Sequence, residues 1–101
     1  MKKTNMTNRN KRRANDKYLV ELLRTLRGRK KPQVVVLPQG PFIFLYDTLW
    51  TTEPDRALGL VGNYSDKILK QCFRRCPSTS EWYEKMKNIE KNAEEQMAEQ
   101  K

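Results

Sequence analysis

Two short runs of β-branched and aromatic residues, Val34-Val35-Val36-Leu37 and Phe42-Ile43-Phe44-Leu45-Tyr46, stand on either side of Pro38-Gln39-Gly40-Pro41. Branched and aromatic side chains suit a pleated surface, and the Pro/Gly cluster interrupts it, so the pattern predicts a β-hairpin with a four-residue loop over 38–41. Neither run alternates apolar with polar residues. Both strands are therefore expected to be covered on two faces, or else the segment threads irregularly through the core. Leu49-Trp50 extends the apolar character before residues 51–55 open a loop or a helix start.

Helical patterns flank this centre. Asn15 or Asp16 can cap a helix whose Leu19, Leu22, Leu23 and Leu26 recur at helical spacing, with Gly28 as its closing residue and Pro32 ending any continuation. Ser65-Asp66 cap a second, with Ile68, Leu69, Cys72, Phe73 and Cys76 on one face and Pro77 as its stop. Ser78 and Glu81 stand at capping-box spacing ahead of a third, whose Trp82, Met86, Ile89, Ala93 and Met97 make a narrow apolar stripe. Gly59 and Gly62 lack the Lys-Ser/Thr ending or third glycine of a nucleotide loop and read as a turn. The fold class expected is α+β: a small single domain of helix, β-hairpin, helix and helix, with a basic disordered N-terminal tail. Its divisions are a flexible tail over 1–13, the domain over 14–90 and a projecting charged helical end over 91–101.

Charge is distributed very unevenly along this scaffold. Twelve of the 21 Lys and Arg residues lie in the first 33 positions, against Asp16 and Glu21 alone, so that third carries a net +10 in a chain of net +9. The C-terminal third is rich in charge but nearly neutral. A one-sign field of this kind is most readily matched by a polyanion. The tail bases are Lys2, Lys3, Arg9, Lys11, Arg12 and Arg13; the first helix adds Lys17, Arg24 and Arg27; Arg29, Lys30 and Lys31 follow its end, where they also complement the helix dipole. Lys67, Lys70, Arg74 and Arg75 form a second basic surface around the second helix. These sixteen residues are the candidate RNA-binding set. Lys2-Lys3 and Lys11-Arg12-Arg13 also loosely match a bipartite nuclear import pattern.

Several chemistries are hard to build from this composition. The chain has no His, so Ser-His and Cys-His nucleophiles are excluded within it, and its two cysteines are too few for a four-ligand Cys/His zinc site. Asp47, Glu53 and Asp55 read as turn and cap residues rather than a metal-binding set. The acids of the third helix read as a solvated face. Cys72 and Cys76, four apart, read as small core residues on one helix face, although Arg74 and Arg75 beside them can lower a thiol pKa. No apolar run approaches the roughly 18 residues of a membrane span, and the basic start lacks a signal-peptide core, so an intracellular location is expected.

The functional expectation is a non-enzymatic RNA-binding protein without a cofactor, such as a small component of a ribosome or another ribonucleoprotein particle. It would contact the phosphate backbone rather than read bases with an RNP-type aromatic signature, which is missing. An acidic protein is the next expected partner, and no membrane is. The alternative from another class is a regulatory adaptor of viral or phage type that binds protein through its hydrophobic surface and C-terminal helix. A DNA-binding regulator is third, since the β-like centre interrupts the adjacency of a helix-turn-helix.

Overall fold

The computed structural model describes residues 4–99, which form a single α+β domain of four helices and one four-stranded sheet among the described residues. In chain order these are α1 (Thr4–Leu26), β1 (Gln33–Leu37), β2 (Gly40–Leu45), β3 (Thr48–Thr51), α2 (Pro54–Leu58), α3 (Asp66–Cys72), β4 (Phe73–Arg75) and α4 (Tyr83–Glu99). The strands lie in the order β1-β2-β3-β4, an antiparallel meander with β4 added parallel to β3.

The expected hairpin is present, but its connection is shorter than four residues. Leu37 pairs with Gly40 and Val36 with Pro41, leaving Pro38-Gln39 alone as the turn. Gly40 makes this possible, since it adopts φ +131 and a Cβ there would sit 2.6 Å from Nε of Arg56. A second hairpin, not anticipated, joins β2 to β3 through Tyr46-Asp47. Both residues have positive φ, 54° and 59°, as in a type I′ turn. Asn-Gly is the usual signature of that turn, so Tyr-Asp hides it. Left-handed backbone costs a residue with a Cβ roughly 1 to 2 kcal/mol. Asp47→Gly is accordingly expected to stabilise the domain by about 1 kcal/mol, measured as a raised urea midpoint with unchanged slope.

β2 is buried along nearly its whole length and divides two cores. Phe42 and Phe44 face α1 and α3, packing with Leu19, Leu49, Ile68 and Phe73. Ile43 and Leu45 face α4, packing with Met86, Cys76, Trp50 and Trp82. The two-sided cover expected of both strands therefore holds for β2 and not for β1. There Val35 and Leu37 are buried while Val34 and Val36 remain 45% and 53% exposed, because β1 is an edge strand and α4 centres on β2.

α1 begins eleven residues ahead of the expected Asn15 start, so the stretch read as tail is, from Thr4 on, the first part of a continuous helix. Asn15 and Asp16 do not cap it. Asn15 donates from Nδ2 to the carbonyl of Asn63 (2.8 Å), and Asp16 accepts from the Ser65 backbone N–H (3.1 Å). Short polar side chains that signal a cap can equally satisfy a loop packed against the helix, and here the 62–65 loop claims them.

The second helix also differs. Ser65 caps it as expected, accepting from the Ile68 N–H (3.3 Å), but it ends at Cys72 and the chain straightens into β4. Phe73, Arg74 and Arg75 pair with Leu49, Trp50 and Thr51, and Cys76 donates to the Thr51 carbonyl (2.8 Å). The open edge of β3 offers ladder hydrogen bonds, and Phe73 gains edge-to-face packing on Phe42 at 5.5 Å, which together override one more helical turn.

α4 starts at Tyr83 rather than at Ser78. Ser80, not Ser78, serves its entry by accepting from the Trp82 N–H (3.1 Å). Its packing continues past Ile89: Glu90 and Ala93 are buried, so the boundary expected at 90 is not where burial stops.

Candidate nucleic-acid interface

Glu90 corrects the reading of the α4 acids as a solvated face. Its side chain is 3% exposed and accepts from the Thr51 hydroxyl (2.8 Å), the Thr52 N–H (2.9 Å), the Thr52 hydroxyl (2.6 Å) and Arg56 (2.6 Å). Arg56 also donates to the Pro41 carbonyl (3.2 Å) and pairs with Glu94. Each carboxylate oxygen thus has two partners, and the guanidinium is spread over three acceptors. Such saturation suits an anchor that ties α4 to the end of β3 and to α2, and it leaves the carboxylate little capacity for a substrate. Arg56 was legible as an oddity, being the one base between positions 32 and 64.

Asp47, Glu53 and Asp55 serve as the turn, the residue preceding α2 and its first turn respectively. Among the described residues no three His, Cys, Asp or Glu side chains gather to hold a metal. Cys72 and Cys76 do not share a face. Cys72 ends α3 in the first core, while Cys76 follows β4 in the second. Burial pushes the Cys72 thiol above its ordinary pKa and Asp16 adds to this, so the expected lowering by a neighbouring arginine, which Arg74 does exert, is outweighed.

The predicted basic residues are arranged mainly by α1. Lys2 and Lys3 lie outside the described residues, and Arg9 lies within α1. Arg12 is engaged, donating from Nε to the Gly62 carbonyl (3.2 Å). Arg13, Lys17, Val20, Arg24 and Arg27 recur at steps of four, three, four and three. That spacing draws one stripe about 21 Å long, away from the leucine face. Arg13, Lys17 and Arg24 border an open depression there with Asp16 and Glu21. Arg24 and Arg27 also form one wall of a groove of about 300 Å³ between α1 and α3, whose other lining includes Gln71, Cys72 and the carboxylate-bearing Asp47. Lys67 stands one helical turn from Gln71 on α3.

The second patch is split rather than helical. Lys67 and Lys70 are on α3, whereas Arg74 and Arg75 are on β4, where both are exposed and Arg74 donates to the carbonyls of Lys70 and Phe73. Arg29, Lys30 and Lys31 are exposed in the link between α1 and β1. Both ion pairs among the described residues belong to Arg56. Thirteen predicted cations, Lys11 through Lys31 and Lys67 through Arg75, are therefore exposed without a carboxylate partner.

The chain matches no protein-family model, and comparison with curated proteins and with solved structures finds no similar protein. No helix among the described residues is long and apolar enough to cross a membrane.

Proposed function

We propose that this chain is a non-enzymatic RNA-binding protein, a small component of a ribosome or another ribonucleoprotein particle, that contacts the phosphate backbone through α1 and the residues that follow it. The observation supporting this reading is the set of exposed cations without carboxylate partners, against a single arginine that takes both ion pairs among the described residues. A surface arranged this way can neutralise phosphates and release the counterions condensed on a polyanion. The α1 stripe with the α1–α3 groove is the continuous part of it.

Binding to a single-stranded RNA oligomer, followed by fluorescence anisotropy between 50 and 200 mM salt, is expected to weaken steeply, by roughly 0.7 log units per log unit of salt for each phosphate neutralised. Affinity independent of salt would remove the phosphate mechanism. Duplex DNA in the same titration separates this reading from a DNA-binding regulator.

A second reading, the protein-binding adaptor, draws on the exposed Val34 and Val36 of edge strand β1, which leave apolar surface beside an unpaired ladder. Truncating the chain after Ile89 would remove Glu90 from the buried anchor and would not be a clean test of this reading. Val34→Lys with Val36→Lys is cleaner. Loss of a protein partner with RNA affinity intact or raised would favour the adaptor.

A further inference from the structure

β1 forms one edge of the sheet and β4 the other, and the two edges are built differently. β4 is three residues long and carries the exposed Arg74 and Arg75, a short and charged edge of the kind that discourages another strand. β1 has five residues, none of them charged or proline, in an unbroken register, and its Val34 and Val36 are about half exposed. Its outward main-chain groups follow from its pairing with β2. Val36 lies opposite Pro41, which has no N–H, so that pair is a non-hydrogen-bonded one, and by alternation so is Val34 with Ile43. The N–H and C=O groups of Val34 and Val36 therefore point away from β2. No backbone hydrogen bond outside the strands engages them among the described residues.

We propose that this edge pairs with the β1 edge of a second copy of the chain, antiparallel about a two-fold axis at Val35. The strand is matched to itself. In Pro32-Gln33-Val34-Val35-Val36-Leu37-Pro38 a proline brackets it at each end, both at the same distance from Val35. With the axis there, Val34 faces the partner's Val36 and Val36 faces the partner's Val34, each pair exchanging both N–H···O bonds. A slide of two residues either way sets Val34 against the partner's Pro38 or Val36 against the partner's Pro32, which have no N–H to give. A slide of one sets an outward-facing residue against an inward-facing one. Val34 and Val36 share the α4 side of the sheet with Ile43, so the pairing gathers the exposed valines of both copies into a cluster that continues the second core.

Charge favours the same arrangement. Antiparallel pairing sets Lys31 of each copy opposite the partner's uncharged Gln39 and keeps the two Arg29–Lys31 links at opposite ends, whereas parallel strands would bring them side by side. The edge also belongs to the least basic part of a chain of net +9, where Arg56 is the one base between positions 32 and 64 and is already paired. This inference goes beyond the RNA-binding reading and stands without it. It gives the β1 edge to a second copy rather than to a different protein.

The test is sedimentation equilibrium of the nuclease-treated full chain at loadings from micromolar to millimolar. The mass is expected to rise with concentration from 12.0 kDa toward twice that value. Because the two copies repel one another overall, added salt should hold or strengthen the dimer, the opposite of its effect on phosphate binding. Val36→Pro removes an outward N–H that β2 does not use, and Val34→Lys with Val36→Lys charges the edge; each is expected to weaken association by about tenfold or more while the urea midpoint of the monomer changes little. The register has its own readout. An equal mixture of Val34→Cys and Val36→Cys chains should form a disulfide dimer several-fold faster than either variant alone, since only the mixture brings the two thiols opposite each other, with the native chain as the control for Cys72 and Cys76. A chain that stays monomeric at every loading overturns the pairing and leaves the edge to a different protein. A dimer lost on nuclease treatment or on adding salt, one indifferent to both edge variants, or cross-linking no faster in the mixture than in its parts also overturns it. The concentration and salt series need no variant, so a misfolded mutant cannot decide the outcome.

Discussion

Glu90→Ala is expected to lower stability by about 3 to 5 kcal/mol, the usual cost of stripping one partner from a buried ion pair. Arg56 has its side chain 10% exposed and would keep only the Pro41 carbonyl and Glu94, itself 47% exposed, while the Thr51 and Thr52 hydroxyls and the Thr52 N–H would lose their acceptor. A domain of this size has roughly 5 to 15 kcal/mol in total, so the variant is near the margin at body temperature. Urea unfolding followed by tryptophan fluorescence gives the number, because Trp50 and Trp82 both lie in the core that α4 covers. Glu90→Gln keeps one of the two acceptor oxygens and should cost less. Replacing both charges, Glu90→Leu with Arg56→Met, should recover much of the loss, since the penalty arises from an unpaired charge more than from the absence of a pair. A Glu90→Ala variant within 1 kcal/mol of the parent would contradict the anchor.

The second large effect concerns binding. Arg13→Gln, Lys17→Gln, Arg24→Gln and Arg27→Gln together are expected to reduce the salt slope for single-stranded RNA by about 3 and the affinity at low salt on the order of a hundredfold. Stability should change little, because the four are exposed and none makes an ion pair among the described residues. A control set, Lys85→Gln and Lys87→Gln on α4, removes charge from the opposite layer and is expected to have a much smaller effect. Those two ammonium groups stand 5.2 and 5.5 Å from the rings of Trp82 and Tyr83. Equal losses from both sets would mean that net charge, rather than the α1 surface, governs binding.

Local patterns carried much of this fold. The Val and Phe runs identify the first hairpin, the leucine spacing identifies α1, and Ser65 identifies the start of α3. What escaped was set by partners distant in the chain. Asn15 and Asp16 look like a cap because the chemistry that satisfies a helix end also satisfies a loop, and nothing near them announces residues 62–65. Phe73 and Cys76, three apart, continue the helical period of the residues before them, so only the free edge of β3 decides for a strand. Glu90 is one acid among seven in its third of the sequence, and its burial follows from the two threonines and the arginine it meets. The basic stripe, by contrast, depends on spacing within one helix, and most of it could be read directly. A recess between Tyr18, Gln39 and Asn63 joins three segments and had no linear signature.

The anchor around Glu90 also bears on the order in which the chain can assemble. Its hydrogen bonds span 34 to 39 residues, and those from α1 to the 62–65 loop span 48 to 50. Meanwhile β1, β2 and β3 are joined by two-residue turns and can pair quickly. On a ribosome, α1 emerges before the meander. Arg56 then follows, and it cannot be buried without cost until Glu90 has cleared the exit tunnel. The nascent sheet is therefore held with one face uncovered until α4 is available, and completion of the domain waits for that helix.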